Sequence, residues 1–330
     1  MQKRKSDHIT LTFYNQTNKN EKDPRFFYEP MLSGHPNDSL PETRIGEKIM
    51  KAPIWISSMT GGTQQARKIN HNLAEVASEF GLGMALGSCH VLINDERHLP
   101  DFDLRPVIGN DLPFYANMGI AQIEQYIEND DIKILKDLVS LVKADGLVIH
   151  VNPLQEWLQP EGDHIKNPPI DTIKKLLDSV DFNIIVKEVG QGMGKHSLKA
   201  LLQLPLTAIE FGAFGGTNFA KIELKRAPMT NKNQLYPLTY IGQTAEEMVM
   251  LVNQLIEEDI PVKTKNLIIS GGIKNFLDGY HLISTSKMPA VYGMASAFLE
   301  HANFDYKTLK QFTKGQIEGL RFAYNYLKVI

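Results

Sequence analysis

Cysteine is nearly absent: Cys89 stands alone in 330 residues. One thiol excludes an internal disulfide framework and any cysteine-based structural zinc site. No run approaches the roughly 18 apolar residues that a bilayer-spanning helix needs. Neither charge sign dominates. The 35 basic and 38 acidic side chains leave a net charge of −3, which gives no electrostatic reason to expect nucleic acid or a membrane surface as a partner. Residues 1–7 are basic and polar with no apolar segment behind them, so no secretory signal is read there and a cytoplasmic location is expected. The glycosylation-like triplets at Asn15 and Asn37 are set aside on the same ground.

What is present is regularity. Hydrophobic residues make up 42% and charged residues 22%, the balance of a soluble globular chain. Residues 1–51 carry no sustained period and include Pro24, Pro30, Gly34, Pro36 and Pro41, which predicts an extended arm with at most short helical pieces. From residue 52 onward, eight short apolar runs bounded by turn residues follow at 53–58, 83–87, 113–117, 146–151, 183–189, 208–212, 266–270 and 290–292. Runs this short and continuously apolar are what strands buried on both faces look like. Between them lie segments of helical length and spacing, among them 65–80, 121–144, 172–180, 244–259 and 307–327. Alternating strands and helices imply a parallel sheet with right-handed crossovers, and eight strands suggest closure into a (β/α)8 TIM barrel spanning 52–330 as one domain. An open doubly wound sheet is the alternative. One connection, 215–243, is too long for an ordinary loop and reads as a lid over the active site, or else as an insertion with no role.

Barrels of this kind place their chemistry at the C-terminal ends of the strands. The fourth run breaks there into a polar cluster, His150, Asn152, Gln155 and Glu156. The other strand ends carry Met59-Thr60-Gly61-Gly62, Ser88, Asn117, Lys187, Gly215-Gly216-Thr217, Ser270-Gly271-Gly272 and Gly293-Met294-Ala295. Singly, each has a plain explanation: a tight turn for a Gly-Gly pair, a loop cap for a lone Asn or Ser. Together they line one rim. Glycines after the last two strands let backbone N–H groups approach a phosphate, and a helix beginning near Ala297 adds its dipole. Lys187 ends an apolar strand, so its ammonium points into the barrel mouth, where a buried cation needs a negative partner. A reduced flavin ring is one; Glu188 or Glu210 is another. In the arm, Arg4, Lys5 and His8 have the composition of a diphosphate clamp, although a basic terminus is ordinarily just solvated.

With these motifs collected, together with Gln159-Pro160-Glu161-Gly162-Asp163 and Lys187-Glu188-Val189-Gly190, the chain resembles the type 2, FMN-dependent isopentenyl-diphosphate Δ-isomerases over essentially its whole length. The resemblance implies interconversion of isopentenyl and dimethylallyl diphosphates on reduced FMN, with Mg2+ holding the diphosphate and NADPH as reductant. It assigns Gln155 to the reacting end of the substrate, His150 and Asn152 to the diphosphate or the strand-end geometry, and Glu156 to the metal. Arg4, Lys5 and His8 close over the diphosphate. Met59, Thr60, Gly61, Ser88, Asn117, Lys187 and Thr217 line the flavin, and Gly271, Gly272, Met294 and Ala295 its phosphate. A homo-oligomer, tetramer or octamer, is expected, with no nucleic-acid or membrane partner. The chain departs from the family pattern at Cys89-His90, Phe214, Asn218-Phe219 and 240–244, all on the substrate side or in the lid. Two other functions are weighed: a flavin-dependent 2-hydroxyacid oxidase or dehydrogenase, which lacks its arginine beside a catalytic histidine here, and a flavin-binding homologue without turnover, against which intact Gln155 and Glu156 argue.

Overall fold

All eight apolar runs become strands, because each offers apolar side chains to both faces of the sheet. In the computed structural model, which describes residues 2–36, 39–58, 61–226 and 232–330, they are β1 (Ile54–Ile56), β2 (Gly83–Ala85), β3 (Phe114–Gly119), β4 (Gly146–Val151), β5 (Asn183–Glu188), β6 (Ala208–Glu210), β7 (Asn266–Ser270) and β8 (Ala290–Met294). They form a closed parallel barrel in sequence order, with β8 pairing back onto β1. The open-sheet alternative is excluded by that closure.

The helices follow their local signals. The first, α1 (Gln2–Thr12), is discussed below. In α2 (Gln64–Phe80), Thr63 Oγ1 caps the start by accepting from the Ala66 N–H, Ile69, Leu73, Val76 and Ala77 are buried along the helix, and Gly81 ends it in the left-handed conformation that favours glycine. The segment expected as one helix over 121–144 is two, Ile120–Glu128 and Lys133–Leu141. The break falls in Asn129-Asp130-Asp131, where Asp130 takes φ 60°, a conformation that Asn and Asp tolerate better than most residues. Short α3 (Pro153–Leu158) follows β4, α4 (Phe219–Arg226) follows β6, α5 (Ser296–Phe304) follows β8, and α6 (Tyr306–Tyr326) closes the set. No helix among the described residues is long and apolar enough to cross a membrane.

The arm departs from expectation. Instead of extended chain it begins with the 11-residue α1, because no Gly or Pro occurs before Pro24 and Thr10 and Thr12 hydrogen-bond back to the carbonyls of Ser6 and His8. Every residue from Lys3 to Lys22 is exposed. Further on, Phe26–Tyr28 pairs antiparallel with Leu327–Val329, joining the arm to the C-terminal segment. A hairpin of Thr43–Ile45 and Lys48–Met50 then caps the bottom of the barrel, inserting Ile45 and Met50 into its interior.

That interior is built in layers. Trp55, Ala85, Tyr115, Val148, Ile185, Ala208, Ile268 and Val291 point inward and pack with Ile45 and Met50. The Trp55 and Tyr115 rings meet edge to face at 5.9 Å. Side chains along a strand alternate between faces, so the next inward position is two residues further on. Those positions are Ser57, Asn117, His150, Lys187, Glu210, Ser270 and Gly293, and the register confirms their level: His150 is opposite Lys187, Lys187 opposite Glu210, and Ser270 opposite Gly293. One step of two residues carries the barrel from an apolar plug to a polar mouth.

Trp55→Ala removes the largest side chain of the plug, and we expect it to lower stability by about 3–5 kcal/mol. Urea unfolding followed by far-UV circular dichroism measures this; a midpoint matching wild type would show that the layer collapses without loss.

Candidate active site

The mouth opens into a cavity of about 350 Å3. Six of the sequence-predicted cofactor residues line it: Lys187, Thr217, Gly271, Gly272, Met294 and Ala295. Ser57, Ser58 and Glu210 form part of its wall as well. The hydroxyls of both serines are buried without a hydrogen-bond partner, a costly state unless a ligand or water completes it. Gly271 has φ +95°, and a Cβ there would lie 2.2 Å from the Ala213 carbonyl oxygen, so β7 leaves the barrel pressed against the chain that follows β6. That contact draws Gly215, Gly216, Gly271 and Gly272 into one glycine-walled cradle. The first residue of the nine-residue α5, Ser296, stands at the same cavity. Unpaired N–H groups at a helix start beside a side-chain-free wall suit a phosphate. Hydroxyl donors and a buried ammonium suit the polar edge of a flat, partly anionic ring. The residues present therefore fit a phosphorylated flavin.

Within the polar ring, Lys187 is 8% and Glu210 0% exposed. Ser270 Oγ donates to Glu210 Oε1 at 3.3 Å, while Glu210 Oε2 has no hydrogen-bond partner. Burial raises the Glu210 carboxyl above its ordinary pKa, and Lys187 opposes that rise. Glu188 points the other way: its Oε2 accepts from the N–H groups of Gly190, Gln191 and Gly192 at 2.6–2.9 Å. Of the two carboxylates named as partners for Lys187, Glu210 shares its rung of the ladder.

The second group of residues comes from β4 and α3. His150 is half-buried at the end of β4; desolvation, and then the charge of Lys187, hold its pKa down to about 3. The imidazole is thus neutral at ordinary pH. With Asn117 Oδ1 2.7 Å from Nδ1, the proton sits on Nδ1 and Nε2 keeps its lone pair. Asn152, buried, donates through Nδ2 to Gln155 Oε1 at 3.2 Å and to Glu156 Oε1 at 2.7 Å. Glu156 Oε2 accepts the Asp163 N–H at 2.7 Å, so the carboxylate is fixed on both sides with lone pairs to spare. Gln155 Nε2 donates to Glu223 Oε1 at 3.1 Å. Among the described residues no three His, Cys, Asp or Glu side chains gather to form a metal cage.

The long connection after β6 is not a bare loop. It folds into α4, a turn of helix at Lys232–Leu235 and a 3-10 segment at Tyr236–Tyr240; residues 227–231 lie outside the described residues. Ala220 and Leu224 of α4 bury against Leu158 of α3, with Leu154, Leu235 and Leu238 around them. Asn218, one of the departures from the family pattern, accepts the Lys221 N–H and donates to the Thr239 carbonyl at 2.7 Å, tying the start of α4 to the 3-10 segment. Phe214, another departure, accepts a short β-bridge to Thr244.

No family model matches the chain. It is 32% identical over 331 residues to the isopentenyl-diphosphate delta-isomerase of Rickettsia africae, across 97% of this chain and 92% of the relative. To the enzyme of the same name from Rickettsia felis it is 34% identical over 279 residues, across 84% and 77%. The chain belongs to the isopentenyl-diphosphate delta-isomerase family. Among solved structures, a flavocytochrome b2 variant with sulfite bound aligns with a TM-score of 0.62 at 10% identity, over 91% of this chain and 71% of that one. A mandelate oxidase variant with a monooxide FMN adduct aligns at 0.56 and 10%, over 91% and 82%. At such identities the likeness speaks for the barrel alone.

The remaining expected residues of this isomerase-family chain are spread more widely. Ser88 is exposed after β2, and its carbonyl comes close to Gly61. Met59 and Thr60 lie outside the described residues. Arg4, Lys5 and His8 sit on exposed α1 and are not brought to the cavity. One residue escaped sequence reasoning altogether: Glu223, 2% exposed, whose Oε2 accepts from Arg226 Nη1 at 2.6 Å while Oε1 holds Gln155. The signal for it was faint, an acidic residue between Ala220 and Leu224 on the apolar side of a helix.

Two outcomes follow. His150 has its folded-state pKa depressed from 6.5, so its contribution to stability is complete above that value and is lost as pH falls toward 3. NMR of the imidazole is expected to show no titration of His150 between pH 8 and pH 5; a midpoint near 6.5 would contradict its burial. Burial also pushes the Cys89 thiol up to about 12, so a thiol reagent at pH 8 should modify it only after denaturation.

Proposed function

We propose that the chain is a type 2 isopentenyl-diphosphate Δ-isomerase, interconverting isopentenyl and dimethylallyl diphosphates on reduced FMN with Mg2+. The observation that carries this reading is an adjacency. A cavity with a buried cation and a glycine cradle opens at the strand ends, and Gln155 and Glu156 follow β4, the strand paired with the one that carries Lys187, in a chain matched along nearly its whole length by isomerases.

The reaction adds a proton to an unactivated alkene and removes another, passing close to a tertiary cation that the site must stabilise. Reduced FMN, when bound, would supply an electron-rich face for that charge. Lys187 would meet the ring's anionic edge, with Thr217 beside it. Gly271, Gly272, Met294 and Ala295 would hold the phosphate at the start of α5. Ser88, Asn117 and Gly61 stand at or just after the strand ends that would complete the ring's surroundings, and the family resemblance adds Met59 and Thr60 to that set. Glu156 would hold Mg2+ together with diphosphate oxygens and water, the usual way for this ion, which needs no second carboxylate. Gln155, fixed between Asn152 and Glu223, presents its amide in one orientation to the reacting carbons. Neutral His150 offers Nε2 as an acceptor to a donor at the mouth. The α4 cap excludes water from the charge that develops. Arg4, Lys5 and His8, carried on a helix exposed along its length, would be recruited to the diphosphate within a homo-oligomer. NADPH is the proposed reductant and the cytoplasm the proposed location.

The decisive experiment is an anaerobic assay of isopentenyl diphosphate conversion. Turnover is expected only with FMN, a reductant and Mg2+ together, and EDTA should abolish it. Full turnover by the oxidised enzyme would overturn the reduced-flavin reading, and oxidation of a 2-hydroxy acid would favour the oxidase. Glu156→Gln and Gln155→Ala are each expected to lower kcat roughly 100-fold or more while the protein stays yellow; loss of flavin instead would move these residues to the cofactor side.

A further inference from the structure

Glu210 has no place in the chemistry above, yet its position is costly. It is a fully buried carboxylate on the inward face of β6, with Oε2 unpartnered. Its register partner on β5 is Lys187, roughly 4.8 Å away between strand axes, and on the far side of Lys187 stands neutral His150. Around it, Ser57 and Trp55 come from β1 and Ser270 from β7, all uncharged. Lys187 is thus the one cation facing Glu210 in this ring, and both line the same cavity. A buried charge left alone costs several kcal/mol, and the Lys187 ammonium favours the ionised form of Glu210 against the burial that raises its pKa.

We propose that Glu210 is the counter-charge of Lys187, and that by competing for this ammonium it sets how strongly the site favours an anionic over a neutral ring. The inference rests on the flavin reading above. With Glu210 ionised, an arriving anion shares Lys187 with a resident carboxylate, and the preference for the reduced, anionic flavin is moderated. The bound flavin is then a stronger reductant, the electron-rich state that the proposed isomerisation needs. Glu210 is in this sense a positioning residue, acting on the ring through Lys187.

The test is a redox titration of the FMN-loaded protein alongside thermal unfolding of the apoprotein. Glu210→Gln is expected to raise the ratio of reduced- to oxidised-FMN affinity at least tenfold, a midpoint rise of about 30 mV for a two-electron couple. Glu210→Asp, which keeps the charge, should stay within about threefold of wild type. In the Lys187→Met background the Glu210→Gln effect should largely vanish, since coupled residues are not additive. An unchanged midpoint in Glu210→Gln, or equal shifts in the Gln and Asp variants, overturns the proposal. Should Glu210→Gln fail to fold or to hold FMN, the Lys187→Met/Glu210→Gln double variant is expected to recover apoprotein stability, because no lone charge is then buried; failure to recover it overturns the pairing. If wild type takes up no FMN, the flavin reading fails, and the apoprotein comparison still tests the charge pair.

Discussion

The structure depends on side chains alternating along eight parallel strands around a space too narrow for anything but side chains. Whatever occupies one inward position fixes what must occupy the next. Trp55, Tyr115, Val148, Ile185, Ala208 and Ile268 fill the middle of the barrel without polar atoms in need of water, apart from the indole N–H and the phenol. Two residues further along each strand, the chain is close enough to solvent and ligand for polar groups, and there Asn117, His150, Lys187, Glu210 and Ser270 appear. A low-dielectric floor beneath a polar ring strengthens every interaction in that ring. It is why His150 is neutral and why burial raises the Glu210 carboxyl while Lys187 opposes that rise.

Much of this was legible in the sequence, for an identifiable reason. The strands are apolar on both faces, so each of the eight runs announces itself without reference to its neighbours, and the strand ends follow. That Lys187 faces the cavity could be read from Ile185 two positions earlier. The rest was hidden wherever partners are distant in sequence. The segment after β6 read as a long connection, a lid or an insertion, without helices of its own, because its apolar residues, Ala220, Leu224, Leu235 and Leu238, make sense only against Leu154 and Leu158. Glu223 was missed because a buried acid on a short helix looks like a solvated one until Gln155 is seen beside it. In the arm, prolines from position 24 onward obscured that the first 23 residues contain none, which left α1 free to form.

The departures from the family pattern become intelligible in the same terms. Asn218 caps α4 and holds Thr239, while Gln243 accepts the Phe214 N–H and donates its own to the Gln191 carbonyl. Asn218, Phe214 and Gln243 sit where the segment after β6 meets the barrel, whereas Phe219 lines the cavity itself.

The pairing of Phe26–Tyr28 with Leu327–Val329 joins segments that are remote in sequence and therefore made at widely separated times. During synthesis the earlier strand waits, its edge unsatisfied, until residues 327–329 have been made, and the hairpin that seals the base likewise lacks much of the barrel around it. Contacts so remote in sequence are slow to form. A nascent chain that stops short of Leu327 therefore leaves the Phe26–Tyr28 edge unpaired.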